Sequence, residues 1–423
     1  MIKQIIAGFC LLLSTIAFSQ ENNASPYSFY GIGDMKFKGT AENRSMGGLG
    51  AIPDSIHANL QNPGTYGSLK WTTFTVGATS SRTTLETATE SADASRTNID
   101  YVAVVLPFKK IGVAFGLMPY TAVGYRIKDS VQSTEDGLYR QRKFDGSGGL
   151  NRVFAGAAYN ITDNFSVGAE FNYYFGKIET QSTVNLANSA EAQYGTRETN
   201  TSDYKAIAVN FGAYYHKLIN KKYTWTATAT YTPEATLDGS TQRVIATIAE
   251  SNGNQTVIDD RVFDLNSTDM KMPSKLAVGT GFGQVRKWFA GVEYTHTGND
   301  VLSNRFDNIT NVTFDKGMRV AVGGYYIPKY YSFTSYLSRV TYRAGFRYEK
   351  TGMVINDQDI NDYAVSLGFG LPISGSIGGS NLNLGLEYGK RGTTSAGLIK
   401  EQYFNVFLSL SLNDKWFVKR KYE

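Results

Sequence analysis

Catalysis needs a nucleophile beside a tuned base, or a metal, so the residues able to supply either come first. The chain has three histidines, His57, His216 and His296, scattered along its length. No spacing sets one of them beside an activated Ser, and a histidine at a strand end is ordinarily just solvated. The single cysteine, Cys10, lies in an N-terminal apolar stretch. Asp259-Asp260 and the trio Asp357, Asp359 and Asp362 could face a calcium ion, but they sit in polar loops without a ligand spacing. The expectation is a non-enzyme with no metal and no cofactor.

The most regular polar feature is a repeated Gly-x-Glu-aromatic: Gly168-Ala169-Glu170-Phe171, Gly291-Val292-Glu293-Tyr294 and Gly385-Leu386-Glu387-Tyr388. Strand side chains alternate between faces, so Gly and Glu share one face and the aromatic takes the other. Arg152, Lys205, Arg319, Arg343 and Arg347 fall on the same face as the glutamates by this rule. On the inside of a closed sheet they make a ring of mixed charge. Such a ring can grip a segment held inside, line a polar path, or cross-link a wet wall electrostatically. The last is the simplest expectation, because a hydrophobic cargo would not use charged groups as its pocket.

The elements that must carry these residues follow from composition and period. The chain has 423 residues with 43 Gly, 28 Tyr, 24 Phe and only 9 Pro, and 19% of residues are charged. This mix favours many strands over helices or disorder. After the N-terminal stretch nothing approaches the ~20 apolar residues of a spanning helix, and the mean hydropathy is −0.27. A net charge of +5 is too small for a nucleic-acid binder. Residues 1–19 read as a secretory signal peptide, with Lys3, an apolar run from Ile5 to Ile16, and Ala17 and Ser19 before a cut at Gln20. Export would leave the mature chain without cysteine, hence without disulfides or thiol chemistry.

From Trp71 onward, runs of about ten residues alternate large apolar with small or polar side chains. The clearest sets Tyr223, Trp225, Ala227, Ala229 and Tyr231 against Thr224, Thr226, Thr228, Thr230 and Thr232. Strands are expected near 71–79, 98–107, 111–126, 151–161, 166–178, 203–216, 222–232, 274–283, 287–297, 318–327, 338–350, 363–371, 381–390 and 402–412, about fourteen. Early connections alternate long (80–97, 127–150, 179–202, 233–273) and short (Lys109-Lys110, Thr162-Asp163-Asn164, Asn220-Lys221, Gln284-Val285-Arg286). Later ones, 328–337, 351–362 and 391–401, are of middling length. Long loops on one side and tight turns on the other is the habit of outer-membrane barrels. Trp71, Tyr101, Tyr159, Tyr223, Trp288, Tyr294, Tyr348, Tyr388, Trp416 and Phe417 are candidates for the two interfacial girdles.

Residues 20–70 do not alternate and are rich in Gly and Asn. About fifty residues suit a plug, because a wide lumen is not filled by its own wall side chains. Within them Met46-Gly47-Gly48-Leu49-Gly50-Ala51, Asp54 and Asn62-Pro63-Gly64 resemble the hatch signature of the FadL-type long-chain fatty acid transporters, with Gly64 where Ala is usual. Gly146-Ser147-Gly148-Gly149-Leu150-Asn151, Met272-Pro273-Ser274-Lys275, Gly368-Phe369-Gly370-Leu371-Pro372 and Leu412-Asn413-Asp414-Lys415-Trp416-Phe417 look like the Bacteroidota branch of these barrels. Phe29, Tyr30, Met46, Leu49 and Ile52 could line an apolar ligand pocket, and serve equally well as packing between plug and wall.

The expected architecture is an all-β transmembrane antiparallel barrel of about fourteen strands over 71–412. A signal peptide (1–19) and a plug (20–70) precede it, and a short basic tail (413–423) follows. An even strand number puts both termini in the periplasm. The resemblance implies passive uptake of hydrophobic compounds such as long-chain fatty acids across the bacterial outer membrane, with lipid and a hydrophobic small molecule as partners. The rival is a non-transporting barrel subunit of an envelope machine, for type IX secretion or outer-membrane protein assembly, with other envelope proteins as partners. A transporter should show an apolar channel, whereas a subunit can be filled throughout.

Overall fold

A computed structural model describes residues 23–52, 55–132, 139–186, 193–251, 254–265, 268–305, 310–373, 379–414 and 416. The signal-peptide reading, Asp54, Phe417 and the basic tail other than residues 413, 414 and 416 lie outside the described residues.

Fourteen antiparallel strands form the wall. They are β1 (Thr72–Glu86), β2 (Ser91–Phe108), β3 (Ile111–Gln132), β4 (Tyr139–Asn160), β5 (Phe165–Leu186), β6 (Gln193–Ile219) and β7 (Tyr223–Thr232). Then follow β8 (Lys275–Gln284), β9 (Trp288–Thr297), β10 (Gly317–Tyr326), β11 (Thr341–Ile355), β12 (Gln358–Pro372), β13 (Asn381–Arg391) and β14 (Lys400–Asp414). Each pairs with the next, and β14 pairs with β1 from Lys400↔Glu86 to Asp414↔Thr72, which closes the sheet. Closure pairs every strand with both neighbours over part or all of its length, the condition for a sheet to span a bilayer.

The alternation sorts as its period requires. Phe404, Val406 and Leu408 of β14 are exposed on the outside, while Asn405, Phe407 and Ser409 are buried inside. Trp225 and Tyr231 face out while Thr224, Thr226 and Thr228 are buried. A continuous apolar outer band on a closed barrel makes this an integral outer-membrane protein.

Several strands run far beyond their expected ends. The stretches expected as long loops at 80–97, 127–150 and 179–202 are strand for most of their length, as is 351–362, where only a tight turn separates β11 from β12. Residues 233–273 form two further long strands, Ala235–Ser251 and Asn254–Leu265, the first paired with β6. In these extensions the buried inner face is filled largely by small polar residues such as Thr180, Thr183, Ser202 and Thr241, so the apolar alternation that reveals a strand disappears while its hydrogen bonds continue. Tyr101 also departs from expectation: it is buried inside, not in a girdle. Gly77 pairs Tyr101 and Ala78 pairs Ile99, so Asp100 is an extra residue in a bulge that swaps the faces of β2. Lys205 likewise points outward, between inward Tyr204 and Ala206.

Candidate functional site: the lumen and the gap in its wall

The N-terminal segment, residues 23–70, lies against inward-facing residues of the wall. Its four-residue helix Ala41–Arg44 starts at Thr40, whose hydroxyl and amide both meet the Asn43 side chain, a capping box. Glycines let it come close. A Cβ on Gly345 would stand 2.1 Å from the Gly47 amide nitrogen, and one on Gly323 would stand 2.3 Å from the Met46 carbonyl oxygen. Gly47 itself has φ +71°, a conformation suited to glycine. Thus Met46-Gly47-Gly48 is laid flat on a glycine stripe across β10 and β11. Asn62-Pro63-Gly64 does the same elsewhere: a Cβ on Gly168 would stand 2.6 Å from the Pro63 carbonyl, and one on Gly212 would stand 2.1 Å from Asn62 Oδ1. Asn62 also accepts from the Gly64 amide (2.8 Å) and donates to the Ala213 carbonyl (3.0 Å).

The three repeated glutamates all hold this segment. Glu170 faces the Lys38 ammonium at 3.0 Å and accepts from the Tyr66 hydroxyl at 2.6 Å, with Arg152 at 3.8 Å. Glu293 accepts from the Gly50 amide at 2.9 Å and pairs with Arg319 at 3.2 Å. Glu387 pairs with Arg44 at 2.8 Å and Arg347 at 3.3 Å, and accepts from Asn405 at 2.8 Å. The expectation of a ring that cross-links only the wall is therefore too narrow, because each glutamate joins a wall arginine to the N-terminal segment. Arg343 donates to Asn383 of the wall at 3.0 Å, and Asn383 in turn donates to Glu42 at 2.8 Å. Burial pulls the Lys38 ammonium down to about 8, with the Glu170 carboxylate opposing.

Met46, Leu49 and Ile52 are buried with Phe289 in one cluster, packed rather than lining open space. Phe29 packs edge-on against Tyr125 at 5.2 Å. Of the expected pocket residues, Tyr30 lines a cavity of about 970 Å³ between segment and wall. That cavity is bordered by Lys36, Lys38, Asp100, Arg152, Lys275, Arg319, Arg347, Asp362 and Arg391, a strongly charged lining. Asp362 faces Arg347 and accepts from Tyr403 (2.6 Å), whereas Asp359 faces Lys350. The acidic trio is thus not gathered, and no metal-binding group occurs among the described residues.

One feature escaped the sequence reading. β2 and β3 pair only from Phe108↔Ile111 to Val102↔Leu117, after which β2 stays with β1 and β3 with β4. The N-terminal segment lies along the unpaired upper edge of β3. Asp34 and Met35 pair with Ala122 and Thr121, and the Lys36 amide donates to Tyr120 (2.9 Å). Ser28 exchanges hydrogen bonds with the Gly124 backbone, and Asn23 donates to Ala122 (3.1 Å) and accepts from Arg96 (3.2 Å). Met35, Ile99 and Leu117, 41%, 38% and 46% exposed, also border the cavity, and Ile99 and Leu117 stand on the outward faces of β2 and β3, so the cavity reaches the outer face here. Pro119 was the available signal: a proline inside a strand marks an edge or bulge, and the β3–β4 register slips between Pro119 and Thr121.

A family model described as BamG matches residues 1–423. The chain belongs to the BamG family. No curated protein matches this sequence. Among solved structures, this BamG-family chain is similar to the Ralstonia pickettii toluene transporter TbuX, at 14% identity and TM-score 0.57, over 90% of this chain and 99% of that one. The Pseudomonas putida toluene transporter TodX matches at 14% identity and TM-score 0.55, over 90% and 98%. A Pseudomonas aeruginosa FadL homologue matches at 12% identity and TM-score 0.57, over 90% and 98%. At these identities the likeness establishes a FadL-type barrel fold.

Proposed function

We propose that this BamG-family barrel provides passive uptake of hydrophobic compounds, such as long-chain fatty acids, across the outer membrane. The observation that carries this reading is the gap between β2 and β3, where the cavity meets the lipid-facing surface between apolar Met35, Ile99 and Leu117. Residues 20–70 act as the plug, both termini are periplasmic, and the chain is of the Bacteroidota branch. Cargo enters among the long hairpins and leaves sideways through the gap once Asn23–Met35 shift. The transporter names carried by the structural neighbours support this reading. The test is uptake of radiolabelled oleate by cells producing the wild type or Ile99→Asp/Leu117→Asp, with barrel insertion checked by heat-modifiable gel mobility. Uptake that falls several-fold in the inserted variant supports the exit; equal uptake removes it.

A second reading is favoured by a different observation. The lumen is charged and bound to the N-terminal segment at Glu170, Glu293 and Glu387, which suits a closed barrel better than an apolar channel. This chain would then be a non-transporting subunit of an envelope machine, for outer-membrane protein assembly or type IX secretion. Extraction in mild detergent separates the two readings: stoichiometric large partners through size exclusion favour the subunit, and a lone barrel carrying a hydrophobic molecule favours uptake.

A further inference from the structure

We propose that the rim carrying the short turns is a binding site for anionic phospholipid headgroups, centred on residues 327–340 between β10 and β11. This rests on the orientation proposed above, which puts that rim at the periplasmic leaflet. The turns hold Lys109 and Lys110, Lys221 and Lys222, Arg286 and Lys287, and Lys329 and Arg339, with Asp163 the one acidic residue of their sequences. No acidic residue occurs between Asp269 and Glu293 or between Asp315 and Glu349. Lys109, Lys221 and Arg286 also adopt positive φ (45°, 54° and 61°), a backbone conformation that favours Gly or Asn. Cations are thus held where turn geometry alone would select other residues.

The 327–340 connection is built, not slack. Ile327 and Val340 are buried at its base, the Lys329 amide donates to Ser338 at 2.8 Å, and the Ser335 amide donates to Ser332 Oγ at 3.1 Å. Its apolar groups nevertheless point away: Phe333 is fully exposed, and Tyr331 and Leu337 are largely so. Arg286 lies 4.9 Å over the Tyr330 ring and 5.6 Å over the Tyr331 ring, and donates to the Tyr331 hydroxyl. Arg339 lies 5.3 Å over Tyr336. Cations braced on aromatic rings, beside apolar side chains that can enter the acyl boundary, is the combination that binds an anionic lipid surface. Continuity decides for lipid over an acidic protein segment. The turn runs directly into the lipid-facing band through Tyr326, and Tyr342 meets Phe369 edge-on at 5.9 Å.

The test uses the full chain, delipidated and titrated with phosphatidylglycerol or phosphatidylcholine under native mass spectrometry. Wild type should retain phosphatidylglycerol about tenfold more strongly, a preference carried by charge. Arg286→Gln/Lys329→Gln should abolish the preference, while Phe333→Ser/Leu337→Ser should weaken both lipids alike. Equal retention of the two lipids by wild type, or a preference unchanged in the charge variant, overturns the proposal. So does an acidic protein, in place of lipid, that co-purifies with wild type and is lost from Arg286→Gln/Lys329→Gln. Ser335→Cys tests the orientation separately: a membrane-impermeant maleimide should leave it unlabelled on intact cells, and labelling overturns the assignment. These readouts do not involve uptake, so they stand or fall independently of the transport reading.

Discussion

Glu387 shows how one side chain ties the lumen together. Its carboxylate faces Arg44 from the N-terminal segment and Arg347 from β11, and all three are largely out of solvent. Breaking a buried pair by removing one partner leaves an uncompensated charge, a loss of about 3 kcal/mol or more. Glu387→Gln, which keeps the shape, should therefore lower the temperature of the gel-mobility transition clearly. Asp93→Asn, at the exposed Arg82–Asp93 pair (2.8 Å), is the control and should leave it unmoved. Equal behaviour of the two variants would mean that the charge network is not what holds the segment. The inward glutamates were legible because strand period is strict and Gly-x-Glu-aromatic repeats three times. Their partners Lys38, Gly50 and Arg44 were not, because each lies more than a hundred residues away in a segment without period.

At the scale of elements, the decisive arrangement is the N-terminal segment along β3. Its upper edge would otherwise present unpaired amides and carbonyls inside the membrane, which is costly where no water can replace the bonds. Gly124 is the tightest point, since a Cβ there would stand 2.1 Å from the Asn23 carbonyl oxygen. Gly124→Val should push Asn23–Met35 off β3 while leaving the β3–β4 register in place. The expected readout is faster trypsin cleavage after Lys36 or Lys38 in the folded barrel; protection equal to wild type would show that the segment is held from elsewhere. Long connections misled the reading of elements for a related reason. Asn254–Leu265 has two exposed faces, and the buried face of Ala235–Ser251 mixes Leu237 and Ile248 with Gly239 and Thr241, so neither carries a steady apolar alternation even though they pair from Asn254↔Ser251 to Leu265↔Thr241.

For the whole molecule, a barrel of this width conducts ions unless something occupies it. On the plug reading proposed above, the occupant is the N-terminal segment, whose described residues are tied to the wall at Glu170, Glu293 and Glu387. Wild-type barrels in planar bilayers should show no steady conductance, and deletion of residues 23–52 should open stepwise channels. A deleted barrel that inserts and stays silent would mean that the hairpins alone close the lumen.

The sequence by itself determined the wall: alternation of period two, an apolar outward set, and small turns between strands leave a closed antiparallel barrel as the arrangement that satisfies every backbone group in lipid. It also determined that the glutamates point inward, because that follows from the same period. The tertiary structure decided what those residues face, where the wall stops pairing, and which way Tyr101 turns. Contacts between distant segments depend on how the barrel closes and on single-residue bulges such as that at Asp100, and neither leaves a local period in the chain.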